Sequence, residues 1–499
     1  MQNRSLFNLC WLGILFIPGL LCGCAVGPDY VKPVVEIPAK FKEAPPGWKK
    51  AEPLDCIAGE NWWKIFNDYE LNALLEQVDI SNQNIAVAEA QYRQAVAVVD
   101  EARSAFFPTL AGSVSFSRQK LSTSGSGNTV GATNITGSGN ASTGNSSTKS
   151  SIISTQNLSF NAAWEPDLWG SVRRTVEAAK AGAQSDFAQI GAVRLSMRSL
   201  LAQSYFSLRT LDITQKLLND SVKAYQTALQ LTKNRYKTGV AARLDVVQAE
   251  TQLETAQTAA LDNNINRAQF EHAVAVLIGK PPAEFSIKAK SKALIPPEIP
   301  PGVPSELLER RPDIAVAERL IAEANANIGV AISAYYPVLT LTATDGFSST
   351  SFSRWLSKPA QFWTLGAQLA ETLFDGGLRN AKVKAAWAIY DQNAASYKQT
   401  ILTAFQNVED ELVALNTLKK EAWVQQKAVA NAKLILSIVM NQYKAGTAAY
   451  SEVIVSQNNF YSAQQTAVNI EGRRMAAAVG LIMALGGGWD VSALKCAAD

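Results

Sequence analysis

The chain has 499 residues, a formal net charge of +3 at pH 7, and only one histidine. Such a balance of charge argues against a nucleic-acid-binding protein, which needs a strongly basic surface. The length predicts more than one domain. No stretch beyond the N-terminal segment has the eighteen apolar residues that a membrane-spanning helix requires.

An apolar run, LFNLCWLGILFIPGLL, follows Arg4 and ends in LCGC. The run has the length of a signal-peptide core and is short for a membrane span. Leu21-Cys22-Gly23-Cys24 resembles the bacterial lipobox, which implies cleavage before Cys24 and a covalent lipid on that residue. Ala25, rather than an aspartate, follows Cys24, and this implies sorting to the outer membrane. An ordinary signal peptide or N-terminal anchor is the alternative.

Two cysteines remain in the exported chain once Cys24 carries lipid, namely Cys56 and Cys496. An oxidising periplasm permits a disulfide between them, which would join the two ends of the chain. Two unpaired thiols are the alternative, and the sequence favours neither.

The sequence contains a large internal repeat. Residues 84–110 align without gaps with residues 313–339, and twelve of the 27 positions are identical at an offset of 229. Residues 160–174 match residues 365–380 at an offset near 205, so the first repeat holds about 24 extra residues between the two matches. These lie in the Ser/Gly/Asn/Thr-rich tract 121–151, whose composition cannot build a core. A period of this size indicates a duplicated domain plan rather than a solenoid.

Four segments alternate apolar and polar residues, as strands with two different faces do. Aromatic residues at their ends fit tilted strands of a transmembrane barrel, and a half-buried soluble sheet is the alternative. Four strands cannot close a barrel, and an open edge in lipid is forbidden, so strands that face lipid must be shared by several chains. The predicted strands are 108–118, 154–166, 337–347 and 361–371.

Two very long helices are predicted because no proline occurs between Pro166 and Pro281, or after Pro359. One helix is predicted over residues 170–237 and another over residues 377–444, and each is roughly 100 Å long. Both are rich in alanine and polar residues, which suits close side-by-side packing in a coiled coil rather than burial in a thick core.

Each long helix ends in the same phrase, NRYKTG from Asn234 and NQYKAG from Asn441. Gly239 and Gly446 are the predicted turns of two helical hairpins. With these turns, each repeat reads as helix, two strands, long helix, turn and helix.

Several phrases resemble the outer-membrane factor (TolC-like) family in its lipoprotein branch. They are CAVGPDYVKP, WWKIFNDYELNALL, LIGKPP, the phrase from Pro304 to Pro337, LFDGG and the two glycine turns. The resemblance implies a mainly α chain with a small β part, internally duplicated. It further implies a homotrimer with a 12-stranded outer-membrane β-barrel, four strands per chain, continued by a long periplasmic α-helical barrel with an equatorial belt.

The implied domain organisation follows the repeat. Its parts are a signal peptide over 1–23, a lipid-anchored proline-rich segment over 24–62, repeat 1 over 63–282, an equatorial linker over 283–303, repeat 2 over 304–487 and a C-terminal tail over 488–499.

Members of this family are passive exit ducts of tripartite efflux pumps, which confer antibiotic resistance, or of type I secretion systems. The resemblance implies a periplasmic adaptor protein, an inner-membrane pump and outer-membrane lipid as partners, and no nucleic acid. The expected cargo is a drug or another small molecule, and a protein secretion duct is the alternative. A trimeric surface adhesin is a remote alternative, which is disfavoured because the strand pairs interrupt both halves of the chain.

In this family the glycine turns lie at the closed periplasmic tip, and carboxylates occur six and often nine residues after the second glycine. Those positions here are Glu452 and Val455. In a trimer they imply a gate with one ring of three carboxylates, which favours cations, and an apolar collar that resists wetting. The alternative is that Glu452 only solvates the start of an exposed helix, where its charge suits the helix dipole.

Family members also latch the tip by bonds between neighbouring helices. Tyr443 matches the latch tyrosine, and Asp245 matches its acceptor. Ala448 stands where the family has a latch arginine, and Arg243 is a speculative substitute. The alternative for Asp245 is an ordinary acid at a helix N-terminus.

The sequence contains no motif that indicates an enzyme. The patterns of P-loops, dinucleotide-binding turns, nucleophile elbows and C-x-x-C pairs are absent from it. The single histidine, His272, is interpreted as structural, and the scattered methionines indicate no metal site. No cofactor is expected apart from the lipid on Cys24.

Overall fold

The computed structural model describes residues 25–36, 38, 40–43, 61–120, 152–297, 299 and 310–489. The predictions for Cys24, Cys56, Cys496 and the tract 121–151 fall outside these residues. The chain divides into two compact units, each built from three segments. The sheet unit comprises 1–28, 100–176 and 326–386, and the helical unit comprises 29–99, 177–325 and 387–499.

The described residues form the following α-helices and β-strands in chain order: α1 Tyr69–Ser81, α2 Gln83–Ser104, β1 Thr109–Lys120, β2 Ile152–Trp164, α3 Ser171–Lys237, α4 Arg243–Leu277, α5 Pro312–Ser333, β3 Val338–Ser349, β4 Gln361–Ala370, α6 Leu378–Ala445 and α7 Tyr450–Ala484. Short 3-10 helices lie at Trp62–Phe66, Pro282–Glu284, Phe352–Arg354 and Lys358–Ala360. The strands begin and end within two residues of the predicted positions, and α3 and α6 are single helices of 67 and 68 residues.

The sheet is antiparallel with strand order β1-β2-β3-β4. The register places two different sets of side chains on its two faces, because neighbouring residues of a strand point to opposite sides. One face is largely apolar and includes exposed residues from three strands, among them Leu110, Val114, Phe116, Phe160, Trp164, Trp363, Leu365 and Leu369. Asp345 also lies on this face, where its carboxylate accepts from Gln361 Nε2 at 3.2 Å.

The opposite face of the sheet is polar and carries no charged side chain. Hydrogen bonds cross the strands on this face, between the hydroxyl groups of Ser113 and Ser159 at 2.9 Å, and from the Thr344 hydroxyl to Asn161 Oδ1 at 2.9 Å. An apolar face opposite a polar face is what strands between lipid and a water-filled interior require.

The helical unit has its largest hydrophobic core where α1, α3, α4 and α7 meet. Trp62, Trp63 and Tyr205 are among its largest fully buried side chains. Asp68 caps α1, because its carboxylate accepts the backbone N–H groups of Glu70 and Leu71. The Tyr205 hydroxyl donates to the same carboxylate at 2.7 Å, so the cap is also joined to α3.

The linker that follows α4 is held by buried charges. Asp212 accepts from Arg209 at 2.8 Å and from Arg267 at 2.7 Å. Each arginine also donates to a linker carbonyl, Arg209 to Lys288 at 2.8 Å and Arg267 to Ile287 at 2.6 Å. Because buried charges need partners, this network fixes the start of the linker against α3 and α4.

Candidate functional site

The two hairpin turns of the helical unit have the same backbone. Gly239 and Gly446 have φ values of +74° and +80°, which favour glycine because other residues carry a Cβ that collides there. The N–H of Thr447 donates to the carbonyl of Gln442 at 3.0 Å, and the N–H of Val240 donates to that of Arg235 at 2.9 Å. These six-to-one bonds form the Schellman motif, which ends each long helix at its glycine.

The helices that follow the turns also begin alike, with an acid at their third residue. The Asp245 carboxylate accepts the backbone N–H of Ala242 at 3.3 Å and so closes one half of a capping box. Glu452 stands at the matching position of α7. It is exposed, and its carboxylate makes no hydrogen bond or ion pair with any residue that the structure describes.

The second turn is packed, whereas the first is open. Tyr443 is 3% exposed, and Tyr236, at the same position of the first phrase, is 45% exposed. Tyr443 belongs to a small hydrophobic cluster, which we call the tip cluster, with Ala249, Tyr450 and Val453. The cluster joins α4 of the first hairpin to α6 and α7 of the second.

Arg235 of α3 makes the main polar contact with the second turn. Its Nη1 donates to the carbonyl of Tyr443 at 2.5 Å, and its guanidinium lies 4.5 Å from the centre of the Tyr443 ring. The contact thus combines a charged hydrogen bond with a cation–π interaction. Sequence reasoning missed this residue, although Arg235 occupies the variable position of the repeated phrase, where the second copy has Gln442.

Two tyrosines of the second hairpin share a buried polar environment. Their rings, Tyr443 and Tyr450, lie 5.4 Å apart. The hydroxyl groups of Tyr443 and Thr232 are 3.4 Å apart, which joins the cluster to α3. Burial, followed by the neighbouring Tyr443, raises the pKa of Tyr450 to about 12. The neutral phenol is therefore the form that suits the cluster.

A second polar contact joins the hairpins about two turns of α7 further on. Asn458 Oδ1 accepts from the Tyr225 hydroxyl at 3.0 Å and from Gln252 Nε2 at 2.7 Å. The Tyr225 ring packs edge-on against Tyr461 at 5.5 Å. One asparagine of α7 therefore bonds both helices of the first hairpin.

The predicted gate and latch residues lie at or next to the two turns, but they are not all in contact. Glu452 and Val455 are three residues apart on α7, so they share one face, and Val455 is 59% exposed. Within one chain the structure does not bring Tyr443 and Asp245 together as a bonded pair. Arg243 is exposed and makes no hydrogen bond or ion pair with the described residues, so Arg235, rather than Arg243, contacts the second turn.

No group of histidine, cysteine, aspartate or glutamate side chains in the described part of the chain could hold a metal ion. His272 is an exposed residue of α4. None of the helices that the structure describes combines the length and the apolar character that a bilayer crossing requires.

Comparison with known proteins identifies the family of the chain. The family model described as outer membrane efflux protein matches residues 74–280 and 303–487, which together form well over half of the chain. The chain belongs to the outer membrane efflux protein family. Each matched segment contains one of the two hairpin turns, so the family match covers both copies of the repeat.

Two relatives of this efflux protein match nearly full length. The probable efflux pump outer membrane protein TtgC of Pseudomonas putida is 29% identical over 472 residues, which are 94% of each chain. The pyoverdine export outer membrane protein OpmQ of Pseudomonas aeruginosa is 28% identical over 493 residues, which are 98% of each chain. The solved outer-membrane channel OprN is 26% identical with a TM-score of 0.81, over 93% of this chain and all of that one.

These matches decide several predictions. The family resemblance and the fold class are confirmed, since solved neighbours with this mainly helical, duplicated fold are trimeric outer-membrane channels. The location in the outer membrane of a Gram-negative bacterium is also confirmed. The family is one of channels rather than of enzymes. The lipid on Cys24, the gate pair and the latch pair stay predictions.

Proposed function

We propose that three copies of this efflux protein form the passive exit duct of a tripartite pump for drugs or other small molecules. The duct opens at its periplasmic tip when it docks to an adaptor protein and an inner-membrane transporter. The observation that carries this proposal is the family match over both repeats, each of which ends its long helix in a glycine turn. The description of OpmQ as a pyoverdine export protein supports a small-molecule cargo, and that of TtgC as a probable efflux pump protein supports a pump.

The function is tested by deleting the gene from its host. We expect hypersensitivity to dyes, detergents or antibiotics, and recovery when the gene is returned on a plasmid. Unchanged sensitivity, together with loss of a secreted protein from the medium, would instead favour a type I secretion duct.

We propose that Glu452 and Val455 form the gate. The proposal is supported by the carboxylate of Glu452, which is exposed and has no partner among the described residues, and by Val455, which lies one turn further along the same face. A carboxylate ring favours cations, and an apolar ring resists wetting.

The gate is tested by conductance in planar bilayers. Glu452→Ala should abolish the preference for cations and the block by multivalent cations. Glu254→Ala is the control, because Glu254 is an exposed acid of α4 that belongs neither to the proposed gate nor to the proposed latch. If both variants keep the selectivity of the native channel, Glu452 is not the gate.

We further propose that Arg235 serves as the tip latch where the family arginine is replaced by Ala448. The proposal is supported by the bond from Arg235 to the carbonyl of Tyr443, because this bond crosses from the first hairpin to the second. A bond from Tyr443 to Asp245 of a neighbouring chain is the other latch contact that the family resemblance implies. Opening the tip by moving the second hairpin has to break these contacts.

The proposed lipid anchor is tested by the intact mass of the mature protein. Native protein should begin at Cys24 and carry the added mass of a diacylglyceryl group and an amide-linked acyl chain. Cys24→Ala should lack this mass, and a native protein without it would rule the anchor out.

A further inference from the structure

The four strands of the sheet have two chemically different ends. At the helix end, near Thr109, Trp164, Val338 and Ala370, the strands connect to helices. At the loop end, near Lys120, Ile152, Ser349 and Gln361, they connect to each other or to the tract 121–151. If the protein is an outer-membrane duct with periplasmic helices, as proposed above, the loop end faces the outer leaflet, and the inference below rests on that function.

Acids are sparse at the loop end, where Asp345 of the apolar face accepts from Gln361 Nε2 at 3.2 Å. No aspartate or glutamate occurs between Glu101 and Glu165, or between Asp345 and Glu371. Cations nevertheless occur near the strand ends of these stretches, at Arg118, Lys120, Arg354 and Lys358. Such segregation is marked in a chain whose net charge is only +3.

These four cations have no anionic partner among the described residues. Each is exposed, and none makes an ion pair with any residue in the part of the chain that the structure describes. Arg118 and Lys120 lie on the apolar face of β1, directly beyond Phe116, because alternate residues share a face. The apolar face therefore passes into a cationic rim at its loop end.

The first arginines that follow β2 and β4 at the helix end are paired instead. Arg173 lies 3.1 Å from Asp167 just after β2, and Arg379 lies 2.7 Å from Asp375 just after β4. The helix end thus has paired arginines and two exposed acids, Glu165 and Glu371, directly after β2 and β4, whereas the cations at the loop end have no ion-pair partner among the described residues. The cationic rim is therefore confined to the loop end of the sheet.

Aromatic side chains lie next to the cationic rim. The ring of Trp355, in the loop between β3 and β4, lies 5.3 Å from Phe116 of β1 and 6.0 Å from Phe352. The Trp355 indole N–H donates to the carbonyl of Phe347 at 3.2 Å, which fixes the loop to β3. Phe116, Phe352 and Leu356 are exposed. Aromatic rings with a polar end are enriched where the hydrocarbon of a membrane meets its head groups.

We propose that this loop end binds the phosphate groups of a phosphorylated glycolipid in the outer leaflet of the outer membrane. Arg118, Lys120, Arg354 and Lys358 are the cations, and the Trp355 cluster lies at the level where acyl chains begin. Arginine suits this role because its planar guanidinium donates two parallel bonds to one phosphate.

The apolar face favours a lipid, rather than another kind of anion, as the ligand of this site. The cations continue the surface that contacts acyl chains, so a ligand with both acyl chains and phosphates fits the whole surface. Pairing of β1 and β4 with neighbouring chains in a shared barrel uses backbone groups at the edges. The side chains of the cationic rim therefore stay available in the trimer.

The experiment titrates the purified full-length protein in detergent with bis-phosphorylated lipid A and counts bound molecules by native mass spectrometry. The test variant combines Arg118→Gln, Lys120→Gln, Arg354→Gln and Lys358→Gln. We expect its affinity to fall at least tenfold, since each cation near a charged lipid surface contributes about fivefold. Native protein should bind dephosphorylated lipid A at least tenfold more weakly, and added salt should weaken the phosphorylated complex.

The control variant removes the same number of charges from exposed lysines of α6, namely Lys398→Gln, Lys419→Gln, Lys420→Gln and Lys433→Gln. Its affinity should equal that of native protein. Equal affinity of the test variant and native protein, or equal binding of lipid A with and without phosphate, would overturn the proposal. If the fourfold variant fails to assemble, Arg354→Gln with Lys358→Gln alone should give about half of the loss on a logarithmic scale.

Channel conductance separates this inference from the proposed function. A test variant that conducts as native protein does while losing lipid A supports the inference. Native protein that conducts but does not distinguish the two lipids overturns the inference alone. Native protein that forms no conducting channel overturns the proposed function itself.

Discussion

The two hairpin turns share a backbone and differ in their surroundings. Gly239 and Gly446 end the long helices by the same hydrogen bonds, yet Tyr236 is exposed and Tyr443 is buried. Local sequence sets the turn, because glycine and the Schellman bonds need only neighbouring residues. The surroundings of each tyrosine are set by other helices, and Arg235 reaches only the second turn.

The difference assigns separate tasks to the two hairpins. The first hairpin supplies Arg235 and Thr232, which contact Tyr443 of the second hairpin, and it caps its own second helix through Asp245. The second supplies the buried rings and leaves Glu452 and Val455 exposed. A duplicated unit has thus diverged into a supporting hairpin and a supported one, and each prediction below tests that asymmetry.

The largest effect is expected at the paired tyrosines. Tyr443→Ala removes a buried ring from the tip cluster and should lower the free energy of unfolding by about 3 kcal/mol. Tyr236→Ala alters an exposed side chain and should cost less than about 0.5 kcal/mol. Chemical denaturation followed by circular dichroism measures both. Equal losses would mean that the two turns are not packed differently.

Alkaline pH should weaken the second hairpin through Tyr450. Its pKa is about 12, above the ordinary value of 10, because burial disfavours the phenolate. Below pH 10 the phenol of Tyr450 is protonated in both the folded and the unfolded chain, so its full contribution to the free energy of unfolding is present. Between pH 10 and pH 12 only the unfolded chain releases the proton, so stability falls by about 2 kcal/mol.

The measurement compares the free energy of unfolding just below pH 10 with that near pH 12. Tyr450→Phe should remove the part of this loss of unfolding free energy that comes from Tyr450. The loss that remains comes from other buried tyrosines such as Tyr225, whose pKa burial also raises to about 12. The matching position of the first hairpin is Arg243, which does not titrate in this range. An unchanged pH dependence in Tyr450→Phe would contradict the buried environment.

A smaller effect is expected when the contact between hairpins is cut. Arg235→Ala removes a charged hydrogen bond and a cation–π contact, and should cost about 1.5 kcal/mol. It should also raise single-channel conductance if the contact holds the tip closed. Lys233→Ala is the control, because its pair with Glu250 is exposed and contributes at most about 0.5 kcal/mol. Equal conductance in both variants would remove Arg235 from the latch.

The smallest effect is expected at the matched acids. Asp245→Ala loses a bond to the start of α4 and should cost about 0.5 to 1 kcal/mol. Glu452→Ala loses no hydrogen bond within the described residues and should cost less than that. Thermal denaturation ranks the two variants, and a larger loss at Glu452 would show that its carboxylate supports the fold.

Sequence periodicity predicts the elements because each depends on nearby residues. The alternation that defines β1 to β4 and the absence of proline in α3 and α6 are local signals, and the strands lie within two residues of the predicted bounds. The two glycines likewise identify the turns through the short phrase in which each occurs. These features need no knowledge of distant partners.

The contacts of the site could not be predicted in this way. Arg235 and Tyr443 are separated by 208 positions, and the repeated phrase gives no sign of which tyrosine is buried. Asp245 matches a family acceptor by spacing alone, whereas in the structure its carboxylate accepts the N–H of Ala242. The buried charges at Asp212 were missed for the same reason, because a linker segment and two helices supply them.

The neutral polar face of the sheet has a consequence for transport. Most of its side chains are hydroxyls, amides and small groups such as Ser113, Asn161 and Thr344. The apolar side chains of Ile153, Val338 and Phe362 lie among them, and none carries a fixed charge. A passage with this lining neither attracts nor repels a solute by its charge, because such steering requires fixed charges. In the proposed duct, this segment would pass cargo of either sign alike, and the proposed ring of Glu452 carboxylates would be the element that sorts cargo by charge.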